Sequence, residues 1–113
     1  MNIVAVDHEP TTLEDLTKKL RTVFPTSIIK GFNNPIEPLQ YAQSNKIDML
    51  FTDVRLRPFD GYELIKILGQ TQSFYSYVVS GSKEHPDDLR WMKVTGTFSK
   101  PITTTELTQI RDG

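Results

Sequence analysis

Short apolar runs separated by stretches of helical spacing set the pattern of this chain. Ile3, Val4, Ala5 and Val6 form an unbroken apolar run, as expected of a strand buried on both faces. The acidic loop Asp7-His8-Glu9 ends it, and Pro10 suits the first turn of a helix. Leu13, Leu16, Leu20 and Val23 recur at intervals of three and four and make one apolar helix face. Ile28 to Phe32 predicts a second strand, with Lys30 pointing to a sheet edge. Asn34-Pro35 predicts a capped helix start, with Ile36, Leu39 and Ala42 turned inward. Met49, Leu50 and Phe51 predict a third strand ending at Thr52-Asp53. A loop with Pro58 and Gly61 then leads to a helix whose inner face is Leu64, Ile65 and Leu68. Tyr77, Val78 and Val79 predict a fourth strand ending at Ser80-Gly81, and residues 86–94 a weakly patterned helix. Gly96 to Ser99 predicts a short fifth strand, and Thr103 with Glu106 has the spacing of a capping box ahead of Leu107 and Ile110.

Strands alternating with helices predict an α/β domain with a doubly wound, five-stranded parallel sheet and helices on both faces. In the flavodoxin-like strand order 2-1-3-4-5, the working crevice lies at the carboxyl ends of strands 1 and 3. The 113 residues suit a single domain spanning 1–113, and the last helix looks cut short. Composition narrows the field further. A net charge of −1 without a basic stripe argues against direct nucleic-acid binding. The absence of cysteine excludes disulfides and thiolate metal sites. The apolar runs are far too short to span a membrane, which leaves a cytoplasmic domain as the expectation.

The candidate chemistry lies at the strand ends. Strand 1 delivers Asp7, strand 3 Asp53, strand 4 Ser80 and strand 5 Lys100, each directly after an apolar run. An acid pair can hold a hard divalent cation. A lysine and a hydroxyl can grip phosphoryl oxygens, and a carboxylate beside them is a nucleophile for phosphoryl transfer. Each residue alone has a plain structural explanation; the ordered set does not.

These motifs, VDHEP at Val6–Pro10, FTDVRLRPFDG ending at Gly61, VVSG ending at Gly81 and FSKPI ending at Ile102, resemble the receiver (CheY-like) domains of two-component response regulators. The first of them is also similar to receivers of LytTR-type transcription regulators. The resemblance implies that Asp53 is phosphorylated by a sensor histidine kinase and that Ser80 and Lys100 contact the phosphoryl group. It implies Mg²⁺ held by Asp7, Asp53 and the backbone carbonyl of Arg55. It implies a switch more than an enzyme, with a homodimer face built from the 86–94 helix, strand 5 and the last helix. A C-terminal DNA-binding effector domain absent from this chain would follow.

Three positions depart from the family pattern. His8 stands where a second acid is usual, and imidazole is a poor Mg²⁺ ligand, so weak Mg²⁺ binding is expected. Lacking a second histidine at ligand spacing, His8 is read as a tolerated replacement and not as a transition-metal ligand. Thr97 replaces a common aromatic, and Arg57 precedes a proline shifted by one position. These departures support an alternative, a phosphorylation-independent pseudo-receiver acting as an interaction module. A haloacid-dehalogenase-type phosphatase, suggested by Asp7-His8-Glu9-Pro10-Thr11, lacks the needed acid pair after its lysine. A flavin site fails on charge, because Asp7 and Glu9 would repel the phosphate.

Overall fold

The computed structural model describes residues 1–81 and 94–113. Its elements are β1 (Asn2–Val6), α1 (Pro10–Val23), β2 (Ile28–Phe32), α2 (Ile36–Ala42), β3 (Met49–Thr52), α3 (Gly61–Gly69), β4 (Tyr75–Ser80), β5 (Gly96–Ser99) and α4 (Thr104–Asp112). The strands form one parallel sheet in the order β2-β1-β3-β4-β5. The helix expected at 86–94 lies, apart from Val94, outside the described residues.

Alternation along the strands sorts side chains onto two faces. Ile3, Ala5, Phe51, Tyr77 and Val79 pack with Leu16, Leu20 and Val23 of α1 and Leu107 of α4. Val4, Val6 and Leu50 pack with Leu64 and Leu68 of α3, and with Leu39 and Ala42 of α2. The sheet is therefore covered on both sides, which explains why Ile3–Val6 of β1 and Met49–Phe51 of β3 are unbroken apolar runs instead of alternating. Each fully buried leucine or valine contributes about 1.5–3 kcal/mol, enough to make this packing the main source of stability.

Local signals account for the helix starts. Pro10 occupies the first turn of α1, where its missing N–H has no intrahelical role. Thr103 and Glu106 form the reciprocal capping box at α4. At α2 the inward face differs from the expectation. Ile36 is exposed, while Pro35 and Pro38 are buried and Leu39 and Ala42 half-buried. The Asn34 side chain caps the turn, its Oδ1 accepting the N–H groups of Ile36 and Glu37 at 3.0 Å each. Seven residues are less than two full turns, so the rigid prolines decide which side faces the core. β4 also begins earlier than its apolar run, at exposed Tyr75.

The chain leaves β1 to pair β2 on one side and β3 on the other, which opens a crevice beyond their carboxyl ends. Val6 pairs with Thr52, so the next residues, Asp7 and Asp53, lie side by side at that rim.

Candidate functional site: an acid pair bridged by lysine

The rim gathers charge that the strands alone cannot balance. Asp7 and Asp53 are 2% and 4% exposed, and two buried carboxylates side by side repel each other. Lys100 offsets this repulsion. It follows β5, two strands from β3, a gap of roughly 10 Å, and its four-carbon stem reaches back across the end of β4 past Gly81. Its Nζ lies 2.9 Å from Asp7 Oδ2 and 3.2 Å from Asp53 Oδ1. Burial disfavours the ammonium, but the hydrogen bond to Asp7 and the charges of both acids outweigh it. They hold Lys100 above the ordinary lysine value.

The remaining oxygens face His8. Its Nδ1 contacts Asp53 Oδ2 directly and stands 3.8 Å from Asp7 Oδ1. Asp7 Oδ1 also accepts the backbone N–H of Glu9 at 2.8 Å, which fixes the turn into α1. Ser80 ends β4, buried beside the loop that leaves β3, and its carbonyl accepts the Lys100 N–H at 2.8 Å. That bond ties the serine and lysine positions together. The backbone N–H of Arg55 approaches Asp53 Oδ1 at 3.4 Å.

The backbone of Asp53 is held on every side. Its N–H donates to Val6 O at 2.8 Å, and its carbonyl accepts the Thr52 hydroxyl at 3.0 Å. The loop after it folds back so closely that a Cβ on Gly61 would stand 2.0 Å from the Asp53 carbonyl oxygen. Gly61 is thus a positioning residue; the sequence marked it as the end of the FTDVRLRPFDG motif, at family spacing from Asp53, but not this close approach. Asp60 caps α3 by accepting the Glu63 N–H at 2.9 Å, which anchors the far end of that loop. Beside the rim a groove of about 560 Å³ is lined by His8, Asn33, Arg55, Leu56 and Arg57. The structure thus brings Asp7, His8, Asp53 and Lys100 into contact and sets Ser80 beside them. Thr97 sits on β5 opposite Val78, half-buried, while its neighbour Phe98 faces Tyr77 at 6.0 Å between ring centres.

The family model of the response regulator receiver domain matches residues 3–111, and the chain belongs to that family. Protein MrkE of Klebsiella pneumoniae is 24% identical over 102 residues, covering 89% of this chain and 38% of MrkE. The chain therefore spans well under half of that relative's length. A receiver domain (CheY-like) from Methylobacillus flagellatus superposes with a TM-score of 0.87 at 18% identity, covering 99% of this chain and 96% of the other. TrrA from Thermotoga maritima, solved in complex with Mg²⁺ and BeF, gives 0.83 at 20% identity, covering 98% and 96%. At such identities these structures establish the fold.

Receiver domains serve two-component signalling as phosphoacceptor switches and bind Mg²⁺ at an acidic pocket. In this chain the corresponding cluster is Asp7, His8 and Asp53. Two carboxylates suit Mg²⁺, but the third donor is an imidazole nitrogen, and Mg²⁺ demands oxygen ligands in a strict octahedron. The donor set does not match that ion. No helix among the described residues is long and apolar enough to cross a membrane.

Proposed function

We propose that Asp53 accepts a phosphoryl group from the phosphohistidine of a sensor histidine kinase, with Lys100 and Ser80 gripping the transferred oxygens. The observation that carries this reading is the Lys100 ammonium spanning both buried carboxylates. An Asp53 carboxylate oxygen attacks phosphorus, the new O–P bond forms as the donor's N–P bond breaks, and the donor imidazole leaves with the electron pair. Lys100 then shifts from carboxylate partner to phosphoryl partner, which stabilises charge where it develops. The groove walled by His8, Arg55 and Arg57 has room and positive charge for an anionic donor.

Mg²⁺ would bind weakly here, through Asp7, Asp53 and the Arg55 carbonyl, because His8 replaces an oxygen donor. Engagement of Ser80 by the acyl phosphate would bias the β4–β5 edge between two arrangements, since Ser80 and Lys100 are bonded through their backbones. A partner, an effector or a second receiver would read that change on the face of β5 and α4. In this reading the domain is cytoplasmic and governs a transcription-regulating effector, a suggestion that rests on the VDHEP resemblance.

One observation favours a second reading. His8 against Asp53 Oδ2, together with Lys100 on Oδ1, engages both oxygens of the acceptor. A pseudo-receiver that binds partners without phosphorylation would look the same. Intact-mass measurement after incubation with acetyl phosphate and Mg²⁺ or Mn²⁺ separates the two. A single phosphoryl adduct on the wild type and none on Asp53→Asn supports the acceptor. No adduct with either ion supports the pseudo-receiver.

A further inference from the structure

Two side chains, Lys100 and His8, share the four carboxylate oxygens of the acid pair. Lys100 takes Asp7 Oδ2 and Asp53 Oδ1, at 2.9 and 3.2 Å. His8 Nδ1 faces the other two, in contact with Asp53 Oδ2 and 3.8 Å from Asp7 Oδ1. One nitrogen and two oxygens therefore converge on the side the lysine leaves open, with ligand atoms from all three residues within 4.8 Å of one another. The sequence placed the two acids at one rim but read His8 as a tolerated replacement, whereas the structure turns its Nδ1 toward both carboxylates.

An ion bound about 2.0–2.2 Å from each donor holds them roughly 3–3.5 Å apart. To admit one, the His8–Asp53 contact opens a little and the His8–Asp7 gap closes a little. The His8 side chain is 51% exposed and has room to turn, whereas the two acids are fixed by burial. Asp7 Oδ1 gives one lone pair to the Glu9 N–H and keeps another for the ion.

We infer that this pocket selects a borderline first-row divalent ion, of which Zn²⁺ is the representative, over Mg²⁺, with His8 Nδ1, Asp7 and Asp53 as the protein ligands. Imidazole nitrogen suits zinc, cobalt and nickel, while Mg²⁺ gains little from it. Three protein donors leave a fourth position open to water or an anionic oxygen, as in zinc sites that bind small ligands. With Lys100 beside it the loaded pocket carries net positive charge, which suits a phosphoryl oxygen in that position. The inference rests on reading the Asp7–Asp53 crevice as the cation-binding end of the receiver site, but not on phosphoryl transfer.

Calorimetric titration of the whole chain with Zn²⁺ alone and with Mg²⁺ alone tests it. The wild type should bind Zn²⁺ about 100-fold more tightly than Mg²⁺ or better. His8→Ala should weaken Zn²⁺ by about tenfold or more and leave Mg²⁺ unchanged, while His8→Asp should tighten Mg²⁺ by about tenfold and narrow the ratio. Visible bands of Co²⁺-loaded protein should lose their nitrogen-ligand character in His8→Ala. Zn²⁺ affinity indifferent to His8→Ala or to Asp53→Asn would overturn the inference, as would equal Mg²⁺ affinity in wild type and His8→Asp. Zinc bound through His8 by a protein that forms no phospho-adduct would support this inference while contradicting the phosphoacceptor reading.

Discussion

The two ends of one sheet treat the same kinds of residue in opposite ways. At the amino ends of the strands, polar side chains bond to backbone. Asp48 accepts the Asn2 N–H at 2.7 Å, and Gln72 donates to the carbonyls of Ala42 and Asn45 while accepting the Ile47 N–H. At the carboxyl ends, charged side chains meet one another. The Asp48–Lys46 pair is 4.0 Å apart with both side chains open to solvent, where such a pair contributes little. The Asp53–Lys100 pair has side chains 3% and 18% exposed. There, removing one partner strands a buried charge. The acid at the amino ends and the acid at the carboxyl ends thus differ in burial and in whether the partner is a fixed dipole or another charge.

The sharpest way to break this contrast is Lys100→Ala. It should slow adduct formation from acetyl phosphate by about 100-fold or more, because the group that stabilises the developing charge is gone. A time course by intact mass measures it, and an unchanged rate would remove Lys100 from the chemistry. Next comes Gly61→Ala, where the new methyl meets the Asp53 carbonyl oxygen at 2.0 Å. Relief requires backbone movement and should lower stability by about 2–3 kcal/mol in urea unfolding.

Gln72→Ala probes the opposite end. Losing three hydrogen bonds to backbone should lower stability by about 1–3 kcal/mol, with the phosphorylation rate of the folded protein unchanged; a slower rate would show that the two ends are coupled. The smallest effect is one of pH. The folded value of Lys100 is raised, so its contribution is fully present below the ordinary lysine value of 10.5 and lost as pH rises through the folded value. The stability difference between wild type and Lys100→Met should therefore be constant from neutral pH up to 10.5 and shift at higher pH. A difference that holds steady there would mean the ammonium gains nothing from the acids.

Strands and the residues gathered at the rim were legible in the sequence for the same reason. Parallel strands buried on both faces are unbroken apolar runs, and the first polar residue after each run marks the rim. Asp7, Asp53, Ser80 and Lys100 could be named that way, and β2 and β5 have the bounds their patterns predict. What escaped depended on contacts between distant segments. The steric fit of Gly61 against Asp53 needs the loop's return path. The part Gln72 plays appears only when α3 packs beside residues 42–47. At α2, Pro38 took a core position from Ile36, because so short a helix has too weak a periodicity to fix its own face.

The most direct test of the central claim locates the covalent bond. After incubation with acetyl phosphate, reduction with borohydride converts an aspartyl phosphate to homoserine, and peptide sequencing by mass finds the altered position. Homoserine at position 53, absent when Lys100 is replaced by alanine over the same interval, is the result expected of a carboxylate that the lysine bridges to Asp7. Reduction products at position 7, or an unaltered Asp53 in protein that carries phosphate elsewhere, would contradict it.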